Sequence, residues 1–333
     1  MTSAPETPGG FSADVTEADL GEGLLPGRSV QTAPSGGRAI NLVARVREGV
    51  RVSPRPLLSA DVPQARDVQW AAMSDLNARM GETDPELTPL VRERGEARIA
   101  HLQRTDPASA WVTEWDGRVT GCSMALVREG MWFLSLLMVD PTHQGKGLGK
   151  ELLDATLMTA TDRSWILATA DPAALRRYQR AGFSLHPSFV AKGPVDRALL
   201  PKVEGVRLGD FARDGEQLDE IVRSCRGAGL TQDLEFLAGG PMQLHLVDGE
   251  GFVVLRDGML AWLGATNEGA ARRLLWTAIA EAGETAEVDW LAADQQWGID
   301  VCLQAHLALG WDATLCFRGQ PPIPTYLPNG ALG

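Results

Sequence analysis

The stretch Val139-Asp140-Pro141-Thr142-His143-Gln144-Gly145-Lys146-Gly147-Leu148-Gly149-Lys150 constrains this chain more than any other. An apolar run from Met131 to Val139 leads into it, and Leu148, Leu152, Ala155 and Met158 follow at helical spacing. The predicted order is strand, glycine-bearing loop, helix. Such a loop points several backbone N–H groups at one spot, and the helix start adds the positive end of its dipole. Gly145, Gly147 and Gly149 carry no Cβ and permit positive φ, so an anionic group can sit directly on the main chain. The chemistry implied is pyrophosphate binding.

The spacing is not Gly-x-x-x-x-Gly-Lys-Ser/Thr, which excludes a nucleoside-triphosphate loop. Nor is it Gly-x-Gly-x-x-Gly in a βαβ unit with an acidic residue placed for a ribose. Gln144-Gly145-Lys146-Gly147-Leu148-Gly149 instead resembles the Gln/Arg-x-x-Gly-x-Gly/Ala signature of the GNAT acyltransferases, which hold the pyrophosphate of acetyl-CoA. A second stretch, Ala174-Leu175-Arg176-Arg177-Tyr178-Gln179-Arg180-Ala181-Gly182-Phe183, resembles the LYxxxGF helix of the same family. The two stand in the family's order with a short apolar strand, Trp165 to Ala170, between them.

The elements around these motifs follow the same order. A helix is expected from Asp61 to Met80 with a proline in its first turn, and another from Pro85 to Leu102. Strands Ala110 to Trp115 and Arg118 to Arg128 flank a tight Asp116-Gly117 turn, and Trp132 to Val139 reads as a central buried strand. Val50-Arg51-Val52 reads as a short strand before them, and Phe183 begins another strand pair. Beyond Pro201 the grammar repeats: helix Glu216 to Ala228, three strands between Met242 and Ala265, helix Ala270 to Ala282, strand Glu287 to Ala293, helix Gln295 to Leu309 and strand Trp311 to Phe317. The repeat is of folds rather than residues.

The resemblance therefore implies an α/β (α+β) GNAT acyl-CoA N-acyltransferase fold, a mixed central sheet flanked by helices, duplicated in tandem. The expected division is a Gly/Pro/Ser-rich leader over residues 1–48, read as disordered, a catalytic domain over 49–197, a degenerate GNAT-like domain over 198–320, and a Pro-rich tail over 321–333 that packs along a domain surface. In the second copy the junction Ala265-Thr266-Asn267-Glu268-Gly269-Ala270 is too short to cradle a pyrophosphate and places a carboxylate there. Gly310-Trp311 is aligned with Gly182-Phe183, which sets His306 opposite Tyr178.

By resemblance, the activity is acetyl-CoA-dependent N-acetyl transfer to a primary amine of a small molecule or amino-acid derivative, with acetyl-CoA as cosubstrate and no metal. The edge of Leu137, Met138 and Val139 would pair with the pantetheine amides, and the Leu137 amide would be the oxyanion donor. The backbone of Gln144, Gly145, Lys146, Gly147, Leu148 and Gly149 would hold the pyrophosphate, with charge from Lys146 and Lys150. Tyr178 would be the general acid, since a phenol titrating near about 10 stays protonated at neutral pH. Asp171 precedes Tyr178 where many relatives carry Asn, and as Asp before Pro it also reads as a helix cap. For the general base, the central strand offers Ser135, a weak base; His186, on a late strand expected to border the acceptor site, is the preferred alternative because imidazole titrates near neutrality. A catalytically lapsed CoA-binding sensor or scaffold is the alternative, and transfer of a longer acyl group a third reading.

Composition narrows the partners. Among 333 residues, the net charge of −12 without a local Lys/Arg cluster argues against nucleic acid. No stretch approaches a membrane span, and the start lacks the features of a signal peptide, so the expected location is the cytoplasm. Cys122, Cys225, Cys302 and Cys316 are far apart and read as core residues. The expected partner is a small-molecule amine, with the protein a monomer or homodimer.

Overall fold

The computed structural model describes residues 53–84 and 86–333. The expected leader over 1–48, the Val50–Val52 strand and Pro85 lie outside the described residues.

The N-terminal half opens with β1 (Arg55–Pro56) and α1 (Val62–Met80), which starts at Pro63 and stops at Gly81 in the left-handed region. Then comes α2 (Pro89–Thr105), which begins later than the pattern predicts because the Thr88 hydroxyl accepts the Val91 N–H and Pro89 takes the first turn. Strands β2 (Ala110–Trp115), β3 (Arg118–Arg128) and β4 (Met131–Val139) form a meander. Its two turns, Asp116-Gly117 and Glu129-Gly130, have positive φ at both central residues, as a hairpin matched to strand twist requires. Next are α3 (Leu148–Thr156), β5 (Arg163–Thr169), α4 (Pro172–Arg180) and β6 (Ser184–Pro194).

The C-terminal half repeats the order: β7 (Arg207–Leu208), α5 (Gly215–Arg226), α6 (Leu234–Ala238), the meander β8 (Met242–Val247), β9 (Gly251–Arg256) and β10 (Met259–Ala265), then α7 (Glu268–Glu281), β11 (Thr285–Ala292), α8 (Gln296–Gln304) and β12 (Ala308–Arg318). β13 (Tyr326–Leu327) closes the list. The expected duplication of a mixed sheet is not found: β4 and β5 pair parallel, whereas every pair among β7, β8, β9, β10 and β13 is antiparallel.

The halves exchange their last strands. One sheet of eight strands runs β1-β2-β3-β4-β5-β12-β6-β11. The first half's β6 pairs with β11 of the second, and the second half's β12 lies against β5 of the first, with β6 and β12 antiparallel between them. The strand pair expected after Phe183 is thus a single strand, and its partners come from the other half. The second sheet, β13-β10-β9-β8-β7, belongs to the C-terminal half.

The hydrophobic core crosses the same boundary. Ile99, Leu102, Met124 and Phe133 are buried in one cluster with Leu230, Trp262 and Tyr326. A buried ionic group ties the halves as well. Arg128 on β3 donates to Asp106 and to Asp233, and the His101 ring meets Asp233 at 2.7 Å. The four cysteines are free and buried, as their apolar settings predict.

The tail is not laid over a surface. Tyr326 and Leu327 pair with Gly264 and Leu263 of β10 and are fully buried. The Trp262 indole N–H donates to the Tyr326 hydroxyl at 2.8 Å, and Gln295 Nε2 donates to the Tyr326 carbonyl at 2.7 Å.

Candidate functional site

The site begins with a defect in the central strand. β4 pairs with β3 along its length, but the register shifts between Met124 and Ala125, so that Ser135 has no partner of its own. That extra residue is a bulge, which bends and twists the strand that carries it. On the other side, β4 runs parallel to β5 only from Met131↔Arg163 to Leu134↔Ile166. Past the bulge the two strands part, and the gap between them is a cleft of about 380 Å3.

The backbone groups that face the cleft follow from the ladder. The Asp140 N–H donates to the Thr120 carbonyl at 2.9 Å, one step beyond the Val139↔Gly121 pair. Hydrogen-bonded pairs alternate in an antiparallel ladder, so Met138 presents its N–H and C=O to β3, while Leu137 and Val139 present theirs to the cleft. The Val139 carbonyl accordingly accepts from Gln144 Nε2, at 3.1 Å, instead of from β3. An extended ligand chain can add to this edge as a strand would.

The edge leads to the glycine loop. Asp140 accepts the Thr142 N–H and fixes a short turn over Pro141–His143, after which Gly145 and Gly147 take φ of 76° and 88°. Both values are strained for any residue with a side chain, and a Cβ at either glycine would meet only open space. Backbone conformation, not crowding, requires glycine at these two positions. Helix α3 begins at Leu148 directly after them, so the N–H groups of Leu148 and Gly149 have no partner within their helix. They stand at the positive end of the helix dipole, where an anion is favoured.

Tyr178 enters from α4, held in the cluster of Trp132, Leu134, Ile166 and Phe183, and is only 6% exposed. It lines the cleft. Burial raises its pKa above the ordinary phenol value, which keeps the proton on the oxygen at neutral pH. Asp171 also lines the cleft, with its carboxylate accepting the Ala173 N–H at 2.9 Å as the cap of α4.

Of the residues expected to hold the cofactor, the cleft brings together Leu137, Met138, Val139, Gln144, Gly145, Gly147, Leu148, Gly149 and Asp171. Lys146 and Lys150 are not in its lining. Lys146 Nζ sits 5.5 Å from the centre of the Trp115 ring, and Lys150 bridges to Asp154 one helical turn on. Two arginines line the cleft in their stead. Arg177 of α4 reaches α3 where Gly149 leaves room, and Arg79 comes from the end of α1, bridged to Asp75 at 3.0 Å. Sequence reasoning passed over both. Arg177 stood beside Tyr178, but its approach to Gly149 is made by the fold alone.

His186 is not brought to the cleft. β12 inserts between β5 and β6, which moves His186 two strands from β5, opposite Leu315. Its ring lies 5.5 Å from Phe317 and its Nε2 is 2.9 Å from Ser184 Oγ. Ser135 is also committed: its hydroxyl donates to the Ala331 carbonyl, and Arg98 donates to both its carbonyl and its hydroxyl oxygen.

The second half has no equivalent cleft edge. Its corresponding edge on β10 is taken by β13, and the Asn267 side chain accepts the Ala270 N–H at the start of α7. The helix pair after it also corrects the expected alignment. In α4 the N–H groups of Ala181, Gly182 and Phe183 bond to Arg177, Gln179 and Tyr178; in α8 those of Ala305, His306 and Leu307 bond to Val301, Leu303 and Cys302. His306, at φ 60°, therefore takes the place of Gly182. The counterpart of Tyr178 is Cys302, a buried thiol, and Trp311 is an exposed strand residue.

Among the described residues, no helix is long and apolar enough to cross a membrane, and no group of His, Cys, Asp and Glu could hold a metal.

Residues 70–183 match the model of the acetyltransferase (GNAT) family, a span that includes both motifs. A mycothiol acetyltransferase of Kineococcus radiotolerans is 33% identical over 188 residues, which are 52% of this chain and 60% of the relative. The match thus spans less than two thirds of the relative's length. A crystal structure from Pyrococcus horikoshii with a provisional acetyltransferase assignment superposes with a TM-score of 0.66 at 15% identity, covering 84% of this chain and 95% of that one. The fold is the GNAT acyl-CoA N-acyltransferase fold.

Proposed function

We propose that the chain is an acetyl-CoA-dependent N-acetyltransferase whose acceptor is the primary amine of a small molecule or amino-acid derivative, worked by its N-terminal half. One observation carries this reading: the cleft-facing edge of Leu137 and Val139 and the loop residues Gly145, Gly147, Leu148 and Gly149 at the start of α3 line one cleft. That is the shape of a ligand with an amide-bearing arm and a pyrophosphate. Bound acetyl-CoA supplies the acetyl group already activated as a thioester.

The remaining work falls to the chain. The N–H groups of Gly145, Gly147, Leu148 and Gly149 bind the pyrophosphate, and Arg177 adds a fixed cation. The Leu137 N–H, turned to the cleft, would donate to the thioester carbonyl oxygen where negative charge develops. Tyr178 carries the proton that the departing sulfur needs, and its burial keeps that proton in place. Leu134, Ile166 and Ala168 keep the walls near the reacting end apolar.

The test is CoA release from acetyl-CoA across a panel of amines, with Tyr178→Phe in parallel. Turnover of an amine that falls by an order of magnitude or more in the variant supports the acyltransferase and its acid. Acetyl-CoA binding without turnover of any amine turns the protein into a CoA-bound sensor. Absence of binding overturns both.

A further inference from the structure

Ser135 is the only hydroxyl residue on β4, and its bonds lead away from the cleft it lines. It is also the residue that the register shift against β3 leaves unpaired, so the ladder does not hold it. Two other elements do. Arg98 Nη2 of α2 donates to the Ser135 carbonyl and, at 2.8 Å, to its hydroxyl oxygen, while the hydroxyl donates to the Ala331 carbonyl at 2.6 Å. A hydroxyl set in an apolar strand costs free energy unless it is hydrogen-bonded, and this one both gives and receives.

Ala331 belongs to a turn that the second half holds. Asn329 Oδ1 accepts the N–H groups of Ala331 and Leu332 at 2.8 and 3.0 Å, and Asn329 Nδ2 donates to the Ala261 carbonyl at 3.0 Å. Ala261 is in its turn the unpaired residue of β10, where the register against β9 shifts between Leu260 and Trp262. Each half thus carries a bulge on the third strand of its meander, and one turn ties the two together. The bonds run from Ala261 through Asn329 and Ala331 to Ser135, and Arg98 closes the chain from α2.

What the brace holds is the direction of the cleft-facing edge. A bulge bends and twists its strand at the place where it sits. Leu137 follows Ser135 by two residues, and its N–H turns to the cleft. A donor aimed at developing charge helps most when it is fixed before the reaction, and a displacement of about 1 Å can cost about a hundredfold in rate. We infer that Arg98, Ser135 and the Asn329–Ala331 turn are positioning residues for acetyl transfer, holding the bulge of β4 so that the Leu137 N–H is aimed at the thioester carbonyl. The anchor of this brace is the second half, through Asn329 on Ala261. The inference rests on the acyltransferase reading of the cleft, and it gives the second half a part in the reaction without a cofactor site of its own.

The experiment uses the full chain with two brace variants. Ser135→Ala removes the hydroxyl, and Asn329→Ala unties the turn from β10. Val301→Ala, which truncates the separate core cluster of α7 and α8, is the control for lost stability. All are assayed below their unfolding transitions, with rates expressed per folded molecule. In both brace variants kcat is expected to fall about tenfold or more, with the KM for acetyl-CoA within about twofold of wild type, whereas Val301→Ala keeps the wild-type kcat. The second readout is the Leu137 amide in [15N]leucine-labelled protein, assigned by its loss in Leu137→Met. It is expected to be sharp in the wild type and in Val301→Ala, and broadened by exchange in the two brace variants. A wild-type kcat in both brace variants, a fall in Ser135→Ala alone, or an equal fall in Val301→Ala overturns the inference. If acetyl-CoA binds and the wild type turns over no amine, the acyltransferase reading fails by itself. The Leu137 amide then decides: broadening confined to the brace variants upholds the brace, and an unchanged signal sinks it.

Discussion

Arg177 occupies the space that Gly149 leaves empty: a Cβ on Gly149 would stand 3.1 Å from Arg177 Nη1 and 3.4 Å from Cζ. The third glycine of the loop is therefore needed for a reason different from the first two. Gly145 and Gly147 are there for positive φ, and Gly149 lets a cation approach the start of α3. Gly149→Ala should push Arg177 away from the phosphate position without harming the helix, since alanine is the better helix former. We expect acetyl-CoA affinity to fall about tenfold, or about 1.4 kcal/mol, with denaturation midpoints unchanged or slightly raised. Calorimetric titration checks the first and urea unfolding the second. Unchanged affinity would show that Arg177 does not serve the cofactor.

Tyr178→Phe separates chemistry from packing. The ring sits in the cluster of Trp132, Leu134 and Phe183, and phenylalanine preserves that contact. Only the proton is lost. The expected result is a kcat lower by roughly ten- to a thousandfold, with acetyl-CoA affinity and thermal stability close to wild type. A rate equal to wild type would remove Tyr178 from the mechanism.

The local grammar of this chain was legible; the pairing was not. β2, β3, β8, β9 and β10 begin and end where alternation and turn residues put them, because Asp116-Gly117 and its equivalents specify hairpins by themselves. The glycine loop and Tyr178 meet in one cleft for the same reason, since both lie on consecutive elements of one half. His186 failed because its position depends on which strand becomes its neighbour. The pattern of an eleven-residue strand such as β6 does not name its partners, which are β11 and β12 of the other half. The tail's partner was hidden in the same way. Pro321-Pro322-Ile323-Pro324 reads as an extended apolar segment packed along a domain surface, and the residues just after it go further and pair with β10 as a strand. His306 shows a third kind of failure: counting back from a Gly-aromatic pair assumes glycine at the left-handed position, and here histidine holds it.

Asp233 makes the joint between the halves sensitive to acid. Burial by itself would raise its pKa from the ordinary 3.8, but the hydrogen bonds from His101 and Arg128 outweigh that and hold it down to about 2. A carboxyl whose folded pKa lies below its unfolded one stabilises the fold fully above the unfolded value, and that contribution is lost as pH falls through the folded one. Stability should therefore drop between about pH 4 and pH 2. Asp233→Asn leaves Arg128 buried with only Asp106 to balance it, and should cost about 3–5 kcal/mol at pH 7. Guanidinium unfolding across this pH range tests both, and the variant should show the shallower acid slope. A parallel slope would mean that other carboxylates govern the transition.

The second half should bind no acetyl-CoA, because the chain itself fills the corresponding edge. Ala265 N–H donates to the Thr325 carbonyl at 3.0 Å, and Gly264 and Leu263 pair with Tyr326 and Leu327, on the side of β10 where β4 leaves its own edge open. Gly264 permits this, since a Cβ there would collide with the Phe252 and Tyr326 rings. Trp297 Nε1 donates to the Pro324 carbonyl at 2.8 Å, and the Tyr326 hydroxyl accepts from Trp262 while donating to the Gly333 carbonyl. The segment is a strand of the fold, held at both backbone and side chain. Titration should accordingly give one acetyl-CoA per chain. Tyr326→Phe leaves the buried indole N–H of Trp262 unpaired and should cost about 1–3 kcal/mol in urea unfolding, with the stoichiometry still one. A stoichiometry of two in either protein would show that the tail yields to the cofactor, and that the second half kept the binding function its loop and its Cys302 argue against.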